Sequence, residues 1–250
     1  AYIFVRDGTS WSQQAKLVAD DAAASDYFGL SVSISGDYAL VGARGDDDGG
    51  GDSGSAYIFV RDGTSWSQQA KLVADDAAAS DYFGVSVSIS GDYAVVGAYA
   101  NDDGGSGSGS AYTFVRSGTS WSQQAKLVAD DAAASDFFGV SVSISGDYAV
   151  VGAYQDDDGG GGSGSAYIFI RSGTSWSQQA KLVASDAGTY DHFGYSVSIS
   201  GDYALVGAYD EDDGGSNSGS AYTFIRSGTS WSQQAKLVAG DAAASDNFGY

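Results

Sequence analysis

The chain has 250 residues and a formal net charge of −21, with 32 acidic and only 11 basic side chains. Eleven basic side chains are too few to form a basic stripe. Because the surface is acidic, nucleic acid and anionic membrane faces are excluded as expected partners. The absence of cysteine excludes disulfides and thiolate metal sites. Apolar runs such as Tyr38–Ala43 fall far short of the ~20 residues that span a bilayer, so no membrane insertion is expected.

One sequence unit recurs along the whole chain. The segment Ala-Tyr-(Ile/Thr)-Phe starts at residues 1, 56, 111, 166 and 221, and Gly-Thr-Ser-Trp-Ser-Gln-Gln-Ala-Lys-Leu-Val-Ala occurs unchanged in all five copies. A fixed period of this kind is typical of solenoids and propellers, in which each unit buries its apolar faces against its neighbours. The copies differ most in an Asp/Gly-rich stretch that begins near Arg44, and around Tyr27 and Leu30.

Each unit is predicted to contain four short strands. The first strand alternates large and small residues, and a Ser-Gly-Asp turn separates it from the second. A polar loop over 45–54 leads to the third strand, which an Asp-Gly turn joins to the fourth. Lys71 in the fourth strand is expected to protect an exposed sheet edge. In the first complete unit, the predicted strands are Phe28–Ile34, Tyr38–Ala43, Ala56–Arg61 and Trp66–Ala74.

Four antiparallel strands per unit predict an all-β chain, a β-propeller of four-stranded antiparallel blades with a 55-residue repeat. We expect a single repeat array over 1–250, with an N-terminal half-blade over 1–19 and the start of a further repeat over 240–250. Because Ala1 is not a translation start, we expect the chain to be a processed product or a window on a longer array. The four complete blades are predicted near residues 28–74, 83–129, 138–184 and 193–239.

The segments Phe28-Gly29 and Val41-Gly42-Ala43, with their equivalents in later copies, resemble FG-GAP repeats. These are the blade motif of the integrin α-subunit propeller and of many secreted or surface bacterial proteins. The resemblance covers the whole chain and implies a propeller in an extracellular or cell-surface setting, concerned with adhesion or ligand display. Two departures stand out. The usual proline after the motif is replaced by Arg44 or tyrosine, and the hairpin Ser35–Tyr38 lacks the family's Asp-x-Asp-x-Asp-Gly calcium loop.

The Asp/Gly-rich loops are the best candidates for a metal site, and Ca²⁺ is the candidate cofactor. Calcium takes about six to eight oxygen ligands, which carboxylates on a glycine-rich backbone can supply. Consecutive aspartates do not all point inward, so a solvated acidic loop without metal is the alternative. Asp21 and Asp26 either join such a site or cap backbone amides. The candidate ligands are Asp46, Asp47, Asp48, Asn101, Asp102, Asp103, Asp156, Asp157, Asp158, Glu211, Asp212 and Asp213.

Three other features receive structural interpretations. Trp66 and its equivalents, one per unit, are interpreted as packing against the adjacent blade rather than as a sugar-stacking platform. The integrin-binding tripeptide Arg44-Gly45-Asp46 occurs in one copy, and we attribute it to the Gly/Asp-rich composition. His192 is the only histidine and stands where other copies have Tyr, Phe or Asn, so it is not interpreted as catalytic.

The candidate catalytic carboxylates recur in near-identical copies, whereas an active site normally breaks repeat symmetry, and the chain is therefore predicted not to be an enzyme. The predicted function is that of a non-enzymatic extracellular structural or adhesive repeat protein, in keeping with a surface appendage or filament. Its expected partners are other copies of itself, or surface proteins and glycans. The alternative function is a calcium-dependent propeller module that binds a ligand or glycan.

Overall fold

The computed structural model describes all 250 residues. A two-stranded hairpin, β1 (Tyr2–Asp7) and β2 (Ser10–Lys16), precedes four four-stranded sheets. No helix in the structure is long and apolar enough to cross a membrane. The first two blades contain β3 (Val32–Ser35), β4 (Tyr38–Ala43), β5 (Ser55–Asp62), β6 (Ser65–Leu72), β7 (Val87–Ser90), β8 (Tyr93–Ala98), β9 (Ser110–Ser117) and β10 (Ser120–Leu127). The last two contain β11 (Val142–Ser145), β12 (Tyr148–Ala153), β13 (Ser165–Ser172), β14 (Ser175–Leu182), β15 (Phe193–Ser200), β16 (Tyr203–Ala208), β17 (Ser220–Ser227) and β18 (Ser230–Leu237).

Each sheet takes its four strands in chain order, and every neighbouring pair is antiparallel. The prediction of an all-β chain of four-stranded antiparallel blades is confirmed. Successive blades contact each other through their first strands, since β3 lies against β7, β7 against β11 and β11 against β15. The sheets match propeller blades, but they do not close into a ring.

The first strand is shorter than predicted in three of the four blades. It begins at Val32 in the first blade, whereas Phe28 was expected to be its first residue. The Phe-Gly segment instead bends at a glycine of positive φ, such as Gly84 at 89°, whose N–H still donates to the Gly97 carbonyl of its own sheet at 2.9 Å. Phe83 then forms a parallel bridge to Gly54 of the preceding blade. The regular first strand is shorter than predicted because the Phe-Gly segment is shared: its phenylalanine pairs with the preceding blade, while its glycine stays bonded to its own blade.

A β-bulge shifts the register between the third and fourth strands. Ala70 pairs with Ile58, but Gln68 pairs with Phe59, so Gln69 is an extra residue in the fourth strand. The bulge turns Gln69 toward the next blade, where its Oε1 accepts a hydrogen bond from Trp121 Nε1 at 3.1 Å. The predicted packing of the tryptophans against the adjacent blade is thereby confirmed.

The backbones of neighbouring blades approach most closely where the two halves of the sequence motif meet. A Cβ atom built on Gly42 would lie 2.0 Å from the carbonyl oxygen of Gly84, and one built on Gly97 would lie 1.9 Å from that of Gly139. Ser31 Oγ donates to the same Gly84 oxygen at 2.8 Å. Only glycine permits this approach, so the glycine after each valine sets the spacing of the blades.

The apolar core lies between blades. Phe83 is fully buried and stands edge-on to Tyr112 and Phe114, with ring centroids 5.5 and 6.0 Å apart. The same cluster includes Leu40 and Ile58 from the preceding blade. A single blade leaves these faces uncovered, and stability therefore depends on stacking.

Gly97→Ala is expected to lower the free energy of unfolding by about 3 kcal/mol, because the new methyl group overlaps the Gly139 carbonyl. Gly51→Ala is the matched control, since no atom lies within 4 Å of the added Cβ. Its effect should stay within about 0.5 kcal/mol. Urea denaturation of both variants measures the difference, and equal losses would contradict the account of the junction.

Candidate functional site

Each blade buries one polar side chain at the start of its Asp/Gly loop. In the first blade this is Asp46, which is 4% exposed. Its Oδ1 accepts a hydrogen bond from Ser55 Oγ at 3.0 Å, and its Oδ2 accepts one from the Tyr57 hydroxyl at 2.8 Å. The loop and the third strand are thereby joined. The equivalent residues in the later blades are Asn101, Asp156 and Glu211.

A lysine from the fourth strand enters the same cluster. Lys71 Nζ donates to Asp21 Oδ2 at 2.7 Å and to Asp46 Oδ2 at 3.0 Å, and it also pairs with Asp48. The ammonium lies 5.3 Å from the Tyr57 ring centroid, and the lysine side chain is only 18% exposed. The predicted edge-protecting role of Lys71 is therefore wrong, because its charge is held inward by carboxylates.

The arrangement recurs in every complete blade. Lys181 binds Asp131, Asp156 and Asp158, and Lys236 binds Asp186, Glu211 and Asp213. In the second blade, Lys126 pairs with Asp76 and Asp103 and donates to the Asn101 amide oxygen at 3.1 Å. Each lysine is thus held by one residue from the connector and two from the Asp/Gly loop.

Three of these clusters could hold a metal ion. Their three carboxylates each offer an oxygen within 4.8 Å of the others, as at Asp21, Asp46 and Asp48. In the structure the cation among these oxygens is the lysine ammonium. A divalent ion would have to share the cluster with that charge or displace it, which costs Coulomb energy. Calcium binding stays a prediction.

The predicted ligands divide into two groups. The first and third residues of each triplet, such as Asp46 and Asp48, enter the cluster. The middle residues face away, and the Oδ1 of Asp47 instead accepts the backbone N–H of Asp52 at 2.8 Å. Asp21 joins the cluster, as one of its two interpretations anticipated. The middle residues are Asp47, Asp102, Asp157 and Asp212.

Asp26 takes the other predicted role, because its Oδ2 accepts the backbone N–H of Ala23 at 2.6 Å. The equivalent residues Asp81 and Asp136 cap the same turn in later blades. Burial raises the pKa of both carboxyls, that of Asp136 to about 6. The predicted capping of backbone amides is confirmed for this position.

The Asp/Gly loop is also part of the blade junction. The carbonyl of Gly51 accepts the backbone N–H of Ser80 at 2.8 Å, and that of Ser53 accepts the N–H of Phe83 at 2.9 Å. Both donors belong to the connector that leads into the next blade. The loop is therefore more than a solvated spacer, because it pairs with that connector.

Hydrogen bonds within the cluster stabilise the charged forms of Asp46 and Lys71. Burial alone would raise the pKa of Asp46, but hydrogen bonds from Tyr57 and Lys71 outweigh it and hold the pKa below its usual value. Burial alone would lower the pKa of Lys71, and its bonds to Asp21 and Asp48 raise it instead. The stabilising contribution of the Asp46 carboxylate is present above its unfolded pKa and is lost as the pH falls through the lowered folded value.

The clustered lysines were missed as site residues. The sequence does carry a signal, because each complete unit has one lysine 25 residues after the buried centre of its acidic loop. That spacing shows that the lysine lies near the acidic loop only once the pairing of the third and fourth strands is known.

Two other sequence features have structural roles. The tripeptide Arg44-Gly45-Asp46 does not present its carboxylate, since Asp46 is buried in the cluster. His192 Nδ1 lies 2.6 Å from Asp210 Oδ2, and the imidazole stacks on Tyr209 with ring centroids 5.3 Å apart.

Lys181→Met is expected to lower the free energy of unfolding by about 2 kcal/mol, because it leaves three carboxylates without their cation. Lys16→Met is the control: Lys16 is exposed and has no ion pair, so a change within about 0.5 kcal/mol is expected. Urea denaturation at neutral pH compares them. Equal losses of unfolding free energy in the two variants would show that the clustered ammonium of Lys181 does not stabilise the fold more than an exposed lysine does.

The sequence profile described as FG-GAP repeat matches residues 11–59, 66–114, 121–169, 176–224 and 231–250. Each full match begins in the last strand of one sheet and ends in the third strand of the next, so the family unit spans a blade junction. Comparison with curated proteins gives no match. Since the profile matches most of the sequence and the glycines of its motif make the junctions, this chain belongs to the FG-GAP repeat family.

Proposed function

We propose that this chain is a non-enzymatic structural repeat module of the cell surface or extracellular space, which builds length and displays a repeated surface. The observation that carries the proposal is that the same contacts join every pair of neighbouring blades. Near-identical modules joined by identical junctions form an array whose stability is a sum over neighbours. An adhesive role would follow from the same repetition, because repeated surfaces bind with avidity.

The junction contacts recur with little variation. The indole Nε1 of Trp66 donates to Gln14 Oε1 at 2.9 Å, and the equivalent bond from Trp176 to Gln124 measures 2.8 Å. A parallel bridge from a glycine to the phenylalanine of the next Phe-Gly pair also occurs at each junction between complete blades, as at Gly54 and Phe83. These junction contacts are kept in successive blades, which favours a structural role.

Another copy of the chain is the partner we propose. At internal junctions the first-strand residues Val87 and Ile89 are 8% and 5% exposed. Their equivalents in the first blade, Val32 and Ile34, are 61% and 59% exposed. The half-blade beside Val32 and Ile34 has only two strands and leaves this apolar face open, so a blade from a second copy is the occupant we propose.

Sedimentation at increasing concentration tests this proposal. The chain should show a mass above that of one copy, 25.4 kDa, which rises with concentration. The double variant Val32→Lys/Ile34→Lys should remain at the mass of one copy, because two ammonium groups would have to be buried in the contact. The control Thr64→Lys/Thr119→Lys carries the same added charge on exposed hairpin turns and should associate like the parent. A parent mass of one copy at every concentration would contradict self-association.

A calcium-dependent binding module is the second candidate function, and the three-carboxylate clusters are the observation that favours it. Thermal unfolding with about 2 mM Ca²⁺ and with excess EDTA separates the two candidates, because a ligand that binds the folded state raises its stability. We expect no difference in Tm, since the lysine ammonium already neutralises part of each cluster. A rise of several degrees with calcium would favour the second candidate.

A further inference from the structure

The second blade differs from the others at the centre of its cluster, where the side chain is an amide. Asn101 is 4% exposed, and its Oδ1 lies 3.1 Å from Lys126 Nζ. The lysine ammonium lies 5.3 Å from the centroid of the Tyr112 ring, which is fully buried. A primary amine and a carboxamide are therefore held in contact in a largely enclosed site.

Two further donors polarise this carboxamide. Ser110 Oγ donates to Asn101 Oδ1 at 3.0 Å, and the backbone N–H of Asp103 donates to the same oxygen at 3.3 Å. Donors aimed at a carbonyl oxygen stabilise the negative charge that develops there when a nucleophile attacks its carbon. The loop and the third strand thus supply an oxyanion hole for the Asn101 side chain.

A buried carboxyl group accepts a hydrogen bond from the amide nitrogen. Asp81 Oδ2 is 3.3 Å from Asn101 Nδ2, and Asp81 is 5% exposed. In this position the carboxyl can carry a proton to the amide nitrogen as it departs. Asp76 Oδ2, at 2.6 Å from Lys126 Nζ, can accept the first proton from the ammonium.

We propose that Lys126 and Asn101 become joined by an intramolecular isopeptide bond, with Asp81 as the catalytic proton carrier. After the ammonium gives one proton to Asp76, Nζ attacks Asn101 Cγ and a new C–N bond forms. Asp81 then takes a second proton from Nζ and passes it to Nδ2, and the Cγ–Nδ2 bond breaks. The departing ammonia takes up the first proton and leaves as ammonium, so the reaction needs no oxidant or other reactant.

The other blades lack the electrophile. Their central residues Asp46, Asp156 and Glu211 are acids, and an ionised carboxylate repels attack at its carbon. Asp46 also accepts a hydrogen bond from the Tyr57 hydroxyl at 2.8 Å, which favours its charged form. The cross-link is therefore specific to the second blade, where it fastens the Asp/Gly loop to the fourth strand.

Mass spectrometry of the intact, folded chain tests the proposal after incubation at neutral pH until the mass is constant. The expected mass is about 17 Da below that of the sequence, the loss of one ammonia. Peptide mapping should then place the link between Asn101 and Lys126. A mass equal to that of the sequence would contradict the proposal and leave the pair as a hydrogen bond.

Matched variants identify which residues are responsible for any loss of mass. Asn101→Asp gives the second blade the same central residue as the first and third blades, so it should fold and keep the full mass of its own sequence. Lys126→Arg retains Asn101 without the amine and should also keep full mass. A loss of about 17 Da that persists in Lys126→Arg would indicate cyclisation of an asparagine on the backbone and would overturn the proposal. Asp81→Asn should slow formation of the link if Asp81 carries the proton.

Discussion

The close approach of two backbones at each blade junction is the constraint on which the rest of the structure depends. The carbonyl of Gly84 occupies the space where any other residue at position 42 would place its Cβ atom. This contact sets the distance between sheets, which allows Phe83 to fill the interior and Trp121 to reach Gln69. The glycines of the two motif halves therefore act together, one in each of two blades, and their close contact lies between the sheets.

The lysine-centred clusters depend on the same spacing. Lys71 is held by the connector that enters its blade and by the Asp/Gly loop, while that loop pairs with the connector that leaves. Each cluster thus ties the irregular segments of a unit to its fourth strand. A tethered ammonium provides the charge that a bound cation would otherwise supply, and it needs no ion from solution. Only in the second blade does an amide replace the central acid, and there the same geometry becomes suited to covalent chemistry.

The sequence was sufficient to predict the blades, because the repeat period and the turn residues specify them locally. The second strand, Tyr38–Ala43, has the bounds that its sequence predicts. The first strand was predicted too long, since nothing local shows that Phe83 and its equivalents also pair with the preceding blade. Asp46 and Asp47 are adjacent and chemically identical, and only the folded turn decides which one is buried. The role of Lys71 was missed because its partners lie 25 and 50 residues away in the chain.

Hydrogen exchange of the phenylalanine amides tests the central claim most directly. Phe83, Phe138 and Phe193 donate their N–H groups to the carbonyls of Ser53, Ser108 and Ser163 across the junctions, at 2.9 to 3.0 Å. If the junctions hold the array together, these amides exchange only when blades separate, and their protection equals that of the second-strand amides. If they exchange as fast as the exposed hairpin turn at Gly63, the blades are not held by these contacts, and the account of the junction is wrong.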